Sequence, residues 1–221
     1  MPPLAQDQLA RGQPVVAASQ KSKRSRDDQS TLRKRHAEVV AAASKVFYAK
    51  GYEGTTIQDI ADELGILKGS VYYYITSKEE VLYEVLQDVH AAGLEALREA
   101  SEVEGDPLER IRSVVSTLSE FNAKHRVRMA ILLRELQVLD PKRRREIVAE
   151  RDHYEEVLRG LIEEAQEAGL ADPDLDPKIT TRAIMGMINT IYQWYRPSGG
   201  LKPASIGAQY ADLAVRAVAS R

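Results

Sequence analysis

The side chains with most to offer chemically gather in residues 55–80: Thr55, Thr56, Gln58, Lys68, Ser70, Tyr72, Tyr73 and Lys78. Hydroxyls, an amide and ammonium groups suit phosphate oxygens and base edges rather than bond making or breaking. Tyrosines kept out of a core need something flat, polar or charged to receive them. A duplex has phosphate oxygens for the hydroxyl and thymine methyls for the ring. No catalytic set competes with this reading. The chain has no Cys, and its four histidines, His36, His90, His125 and His153, lie on separate segments. It contains no G-x-S-x-G, no H-E-x-x-H and no phosphate-cradling glycine loop, and Gly199-Gly200 reads as a turn. His153 and Glu156 stand three apart, which suits a metal on a helix face, but no second His joins them. Neither an enzyme, a metal site nor a cofactor is expected.

The elements that must position these groups are encoded locally. Ile57, Ile60, Ala61 and Leu64 fall on one face of a 3.6-residue period, with Thr55 and Thr56 where capping hydroxyls belong. Gly65 follows directly and permits the positive φ that ends a helix and turns the chain. A second helix over 68–74 or 68–75 turns Val71 inward, with Tyr74 and Ile75, and leaves Lys68, Ser70, Tyr72 and Tyr73 outward. Residues 76–79 then open a long helix, whose first amides and Lys78 would suit a phosphate. Ahead of the unit, residues 31–50 form a support helix through Val39, Val40, Ala43, Val46 and Phe47, closed by Gly51. The whole predicts a helix-turn-helix.

In sequence, Gly51, Thr55, Thr56, Ile60, Ala61, Gly65, Lys68, Gly69, Ser70, Tyr72, Lys78, Glu79 and Leu82 resemble the DNA-binding heads of TetR-type transcriptional regulators. The resemblance implies an all-α chain of about nine helices, with a three-helix head and a larger bundle for effector binding and dimerisation. It implies phosphate contacts at Thr56, Tyr72, Tyr73 and Lys78, and groove contacts at Gln58, Lys68, Gly69 and Ser70. The partners it implies are a palindromic double-stranded operator, a second copy of the chain and a small-molecule effector that releases repression. Two positions depart from the pattern. Leu67 stands where a Ser or Thr cap is common, either changing the helix start or facing a thymine methyl. Ile75 replaces the more usual Phe, a core exchange that leaves the fold intact.

Charge is divided unevenly. The formal net charge is −2, but residues 1–35 hold eight basic against three acidic side chains, +5, leaving −7 for the rest. A basic arm on an acidic body fits a nucleic-acid partner. Residues 1–30 are poor in large apolar side chains and are expected to be a disordered arm, lying along DNA or simply solvated. The head is expected over 31–77 and the body over 78–221. No stretch approaches the ~20 apolar residues of a membrane span, and with the missing cysteines this points to a soluble, cytoplasmic protein.

Periodicity marks six further helices in the body. The one opening near Ser77 joins head to body and is the natural lever. The next two carry Leu108 to Phe121 and, beyond a bend at His125, Met129 to Leu136. Arg128 and Arg134 interrupt that apolar surface, as ligand anchors or, preferably, snorkelling or paired with Glu135. A helix opened by Pro141 follows, and residues 172–177, DPDLDP, precede the last two helices. These have apolar and small residues on more faces than one core uses, and are expected to form the dimer interface. The segment WYRPSGGLKP resembles TetR-type regulators answering to acyl-CoA thioesters in fatty-acid, aromatic-acid or steroid breakdown. Trp194 and Tyr195 are expected as packing anchors. In one steroid branch an Arg and a Trp on this helix touch the ligand, and here Met185 and Asn189 stand in those places. The expected pocket lining is Phe121, His125, Arg134, Met185, Asn189 and Tyr192. A regulator of efflux answering to lipophilic drugs, and an architectural DNA-binding protein with no effector, are the alternatives.

Overall fold

The computed structural model describes residues 15–220, with side chains from Ser30 onward. The helices are α1 (Val15–Lys50), α2 (Ile57–Leu64), α3 (Lys68–Val71), α4 (Lys78–Ser101) and α5 (Pro107–Lys124). They continue with α6 (Arg126–Glu135), α7 (Pro141–Glu167), α8 (Pro177–Asn189), α9 (Ile191–Trp194) and α10 (Pro203–Val218). Only Thr190 divides α8 from α9; counted as one kinked rod, they bring the ten helices of the described residues to the expected nine. The all-α class is as expected. An isolated antiparallel bridge, Ala171 to Ala219, ties the end of α10 to the loop after α7.

The expected helix starts fall where capping chemistry put them. Asp106, Asp140 and Asp176 cap α5, α7 and α8, each followed by a proline that needs no amide hydrogen there. Gly65 takes the left-handed conformation expected after α2, and Gly169 does the same after α7. The amino-terminal arm differs from expectation. Helix α1 begins at Val15 rather than near 31, so residues 15–30 are helical instead of disordered, and residues 1–14 lie outside the described residues. Low apolar content says that a segment has no core to join. It does not stop a run free of glycine and proline from extending a helix already nucleated downstream.

Two hydrophobic cores form. In one, Val39, Ala43 and Phe47 of α1 meet Ile60, Val71 and Ile75, together with Val81, Leu82 and Val85 of α4. The same core continues into the body through Met129, Ile131 and Leu132 of α6 and Ile147 of α7. The other gathers Leu97 and Ala100 of α4 with the inner faces of α5, α7, α8 and α10. Helix α4 therefore belongs to both cores, its first three turns to the head side and its last turns to the body. Helices α5 and α10 approach closely at Gly207, where a Cβ would stand 2.6 Å from the Ser116 carbonyl oxygen.

Candidate functional site

The outward face of the helix-turn-helix is built from α2, α3 and the turn that follows. Thr56 caps α2 in a reciprocal box: its hydroxyl accepts from the Asp59 amide at 3.2 Å, and the Asp59 carboxylate accepts from the Thr56 amide at 2.7 Å. Lys50 reaches the same carboxylate at 2.5 Å. The Lys50 ammonium and the Thr56 donors hold Asp59 far below the usual carboxylate range. The start of α2 is thus fixed against the end of α1. Gln58 is exposed and donates along α2 to Asp62.

Recognition helix α3 is a single turn, shorter than the expected 68–74, and tight turns carry the chain on through Tyr74. Val71 and Ile75 are buried beneath it, while Lys68, Gly69 and Ser70 are exposed. A Cβ on Gly69 would meet nothing within 4 Å, so the fold itself does not require glycine there. Tyr72 and Tyr73 are 52% and 71% exposed, so their rings and hydroxyls are offered outward. Leu67 is 79% exposed, extended and without a side-chain cap, which leaves an isobutyl group at the leading edge of the helix.

Lys78 is turned the other way. Its Nζ donates to the carbonyl oxygens of Tyr52 and Thr55, both at 2.8 Å, and lies 4.1 Å from the Tyr52 ring centre. Instead of standing free for a phosphate, it clamps the α1–α2 loop. A long flexible stem at the first turn of α4 finds two loop carbonyls, one of them, that of Tyr52, already accepting from the Thr55 amide at 3.1 Å, and an aromatic face within reach.

The second feature is a cavity of about 150 Å³ between α4, α5, α6, α7 and α8. Val89, Leu118, Met129, Leu132 and Ile188 supply its apolar wall. Phe121, Met185 and Asn189 are among its lining residues. His125, Arg134 and Tyr192 are not. His125 ends α5, packs 4.3 Å from Phe121, and borders a separate surface cleft with Lys124, Arg126 and Arg128. Burial, then Arg128 and Lys124, push its pKa down. The Arg134 guanidinium is exposed, between the Tyr48 ring at 5.9 Å and the Tyr192 ring at 5.3 Å. That is the snorkelling alternative, with aromatic faces in place of a ligand.

Sequence reasoning missed the cavity's polar wall. His90 of α4 is 3% exposed, and its Nδ1 has no hydrogen-bond partner, the nearest acid being Glu150 at 3.6 Å. Burial pushes its pKa down, so the imidazole is neutral. Tyr154 of α7 donates to the His90 carbonyl at 3.2 Å, and burial raises its pKa well above the usual phenol range. Asn122 donates to the Ile188 carbonyl at 3.1 Å. Gln137 and Arg151, exposed members of the lining, mark the mouth. One signal was available: His90 sits on the same stripe as Leu86, Val89, Gly93 and Leu97, a polar residue where an apolar one belongs.

An all-α chain with an outward helix-turn-helix and a cavity on its connecting helix defines a DNA-binding transcriptional regulator. Residues 39–85 match the family of bacterial regulatory proteins of the tetR family, and residues 104–218 match the tetracyclin repressor-like C-terminal domain. The chain belongs to the TetR family. It is 30% identical over 177 residues to the HTH-type transcriptional repressor KstR2 of Mycobacterium tuberculosis, spanning 80% of this chain and 88% of that one. The solved structure of the ketosteroid transcriptional regulator KstR2 of Mycobacterium tuberculosis superposes with a TM-score of 0.80 at 28% identity, over 85% and 96% of the two chains. That of AibR in complex with isovaleryl coenzyme A and operator DNA superposes with a TM-score of 0.71 at 26% identity, over 82% and 96%. Among the described residues no helix is long and apolar enough to cross a membrane, and no cluster of His, Asp and Glu suits a metal.

Proposed function

We propose that this chain is a cytoplasmic, dimeric repressor that leaves its operator when a small molecule of the acyl-CoA thioester class enters the cavity. In this reading residues 31–77 form the head, 78–221 the effector and dimerisation body, and 1–30 a basic arm. Gln58, Lys68, Gly69 and Ser70 face the groove, Thr56, Tyr72 and Tyr73 the phosphates. The observation that carries the effector reading is the double membership of α4. Its amino-terminal half is packed in the head core, and Val89 and His90 are cavity wall. A guest that moves this wall moves the segment attached to the recognition helix. The acyl end would fill the cavity and the remainder would leave past Gln137 and Arg151. AibR, a regulator bound to isovaleryl coenzyme A, favours this class over lipophilic drugs.

The second copy joins through α8 and the last helix. Ile179, Leu213 and Trp194 are 68%, 55% and 42% exposed, and Ala183 and Gly186 share the α8 surface. An isologous four-helix contact would cover them and set two recognition helices ~34–36 Å apart, one turn of DNA.

The test is reciprocity. An effector must prefer the released state, so operator DNA must weaken effector binding by the same factor that effector weakens operator binding. Isovaleryl-CoA and longer acyl-CoAs, titrated with and without promoter DNA from beside the gene, are expected to show it. Effector affinity unchanged by saturating DNA would reject the mechanism. Silence across the panel, with DNA still bound, would favour an architectural protein.

A further inference from the structure

We infer that His90 is the polar contact of the cavity, and that the group it receives is neutral, of benzene size, and bears one hydroxyl or carbonyl oxygen. The inference rests on the effector reading of the cavity and narrows it to a chemical class.

Size comes first. An apolar cavity of about 150 Å³ takes a benzene-sized guest. A fused polycyclic skeleton does not fit, whereas a short branched or cyclic acyl group does. Charge comes next. Among the lining residues only Arg151 carries a formal charge, and it is exposed at the mouth. An ion deep in the cavity would lack a counter-charge, so the guest is neutral.

The oxygen follows from the unpartnered imidazole. His90 is 3% exposed, and its Nδ1 is one of three buried side-chain polar atoms without a partner among the described residues. Buried nitrogens of this kind have partners in nearly all folded proteins, and an exception on a cavity wall marks where a guest supplies one. Two of the wall's own donors are engaged elsewhere. Tyr154 donates to the His90 carbonyl and Asn122 to the Ile188 carbonyl. Glu150, at 3.6 Å, is beyond hydrogen-bond reach. A neutral imidazole accepts from a hydroxyl in one tautomer and donates to a carbonyl in the other. In an acyl thioester the oxygen is the acyl carbonyl.

The experiment uses probes matched in heavy-atom number: phenol against toluene, and cyclohexanone against methylcyclohexane. Binding of each is measured calorimetrically to the full chain and to His90→Phe, which keeps a ring beside Tyr154 but removes both nitrogens. The phenol-to-toluene affinity ratio, or the ketone-to-hydrocarbon ratio, is expected to fall about tenfold in the variant. Which ratio falls identifies hydroxyl or carbonyl. His90→Gln, with a donor and an acceptor, is expected to restore part of it. In the parent the His90 imidazole ¹⁵N resonances are expected to shift with the oxygenated probe, a readout that holds even where a variant folds poorly. Unchanged ratios with unmoved resonances, or no binding of any probe to the parent, would overturn the inference. Failure of the effector reading looks different: the probes bind with His90-dependent ratios, yet no acyl-CoA changes operator affinity.

Discussion

The phenol of Tyr154 on α7 donates to the main-chain carbonyl of His90 on α4, and Gly93, one turn further along α4, leaves the space that the phenol oxygen occupies. The two helices therefore meet through a contact that needs a missing side chain on one and a hydroxyl on the other. Adding the missing Cβ tests it. Gly93→Ala places a methyl against the Tyr154 Oη, an overpacking expected to destabilise by about 1–3 kcal/mol, against roughly 1 kcal/mol that alanine gains in a helix. Tyr154→Phe alone is expected to lose about 1 kcal/mol. The double variant is expected to be more stable than Gly93→Ala, because the oxygen that clashes is gone. Urea denaturation of the four proteins measures the coupling, and strictly additive effects would mean the contact is not made.

Lys78 is expected to act on folding before it acts on DNA. With its ammonium on the carbonyls of Tyr52 and Thr55, Lys78→Met removes the charged donor to both, leaving that of Tyr52 with the Thr55 amide alone, and is expected to lower stability by roughly 1.5–3 kcal/mol without any DNA present. Lys68→Met, at an exposed site, is expected to melt as the parent does. A Lys78→Met protein that melted normally, yet bound operator with a shallower salt dependence, would return this lysine to the phosphates.

On the outward face, base and phosphate contacts separate by their signatures. Changing Lys68 or Ser70 is expected to alter sequence preference by ~1–3 kcal/mol per lost base contact. Tyr72→Phe and Tyr73→Phe are expected to weaken binding to all sequences alike while leaving the salt slope unchanged, because a phenol brings no charge and releases no counterion. Fluorescence anisotropy on operator variants over a salt series reads both. If all four proteins bound as the parent does, the face would be misassigned.

Stability should fall on acidification in a way that traces to His90. Burial holds the folded imidazole's pKa below the usual 6.5, with Arg151 acting the same way and Glu150 opposing. The unfolded chain therefore takes up the proton first as pH falls. The stabilisation is complete above the ordinary value and is lost progressively as pH drops towards the folded one. Melting temperatures from about pH 8 to about pH 5 are expected to decline more steeply for the parent than for His90→Gln. His125 is shifted in the same direction in both proteins, so it cancels in the comparison. Parallel curves would place His90 in water.

The helix-turn-helix was legible because its signals are local: a capping threonine, Gly65, and an apolar face at helical spacing. The starts of α5, α7 and α8 follow from Asp-Pro pairs for the same reason. The cavity's lining is only partly legible. Phe121, Met185 and Asn189 border it, whereas His125 and Arg134 lie outside it, because nothing in a single helix says which way a residue at a corner or on a flank will turn. Two tyrosines distant in sequence, Tyr48 and Tyr192, decide where Arg134 lies. The position of Lys78 is not legible in the motif, because its partners are main-chain carbonyls, which a motif of side chains does not contain. His90 is not legible either, because burial and the approach of α7 put it on the cavity wall.

The proposed dimer interface predicts that charge on α8 or α10 dissociates the protein without unfolding it. Ile179 and Leu213 are 68% and 55% exposed in the single chain, so Ile179→Glu and Leu213→Glu remove little from its own core. Surface changes of that kind usually fall within about 0.5 kcal/mol of the parent. Pressed against a second copy, each carboxylate would be buried twice, once per symmetry-related contact, with no partner, at several kcal/mol each in order of magnitude. Sedimentation is therefore expected to give monomers with the parent's helical content. Operator affinity is expected to collapse, because two half-sites one turn apart must then be held by independent heads. Val103→Glu is the control: it is 39% exposed between α4 and α5, away from both helices, and is expected to stay dimeric. Dimers that survived both glutamates would move the interface to another face of the body.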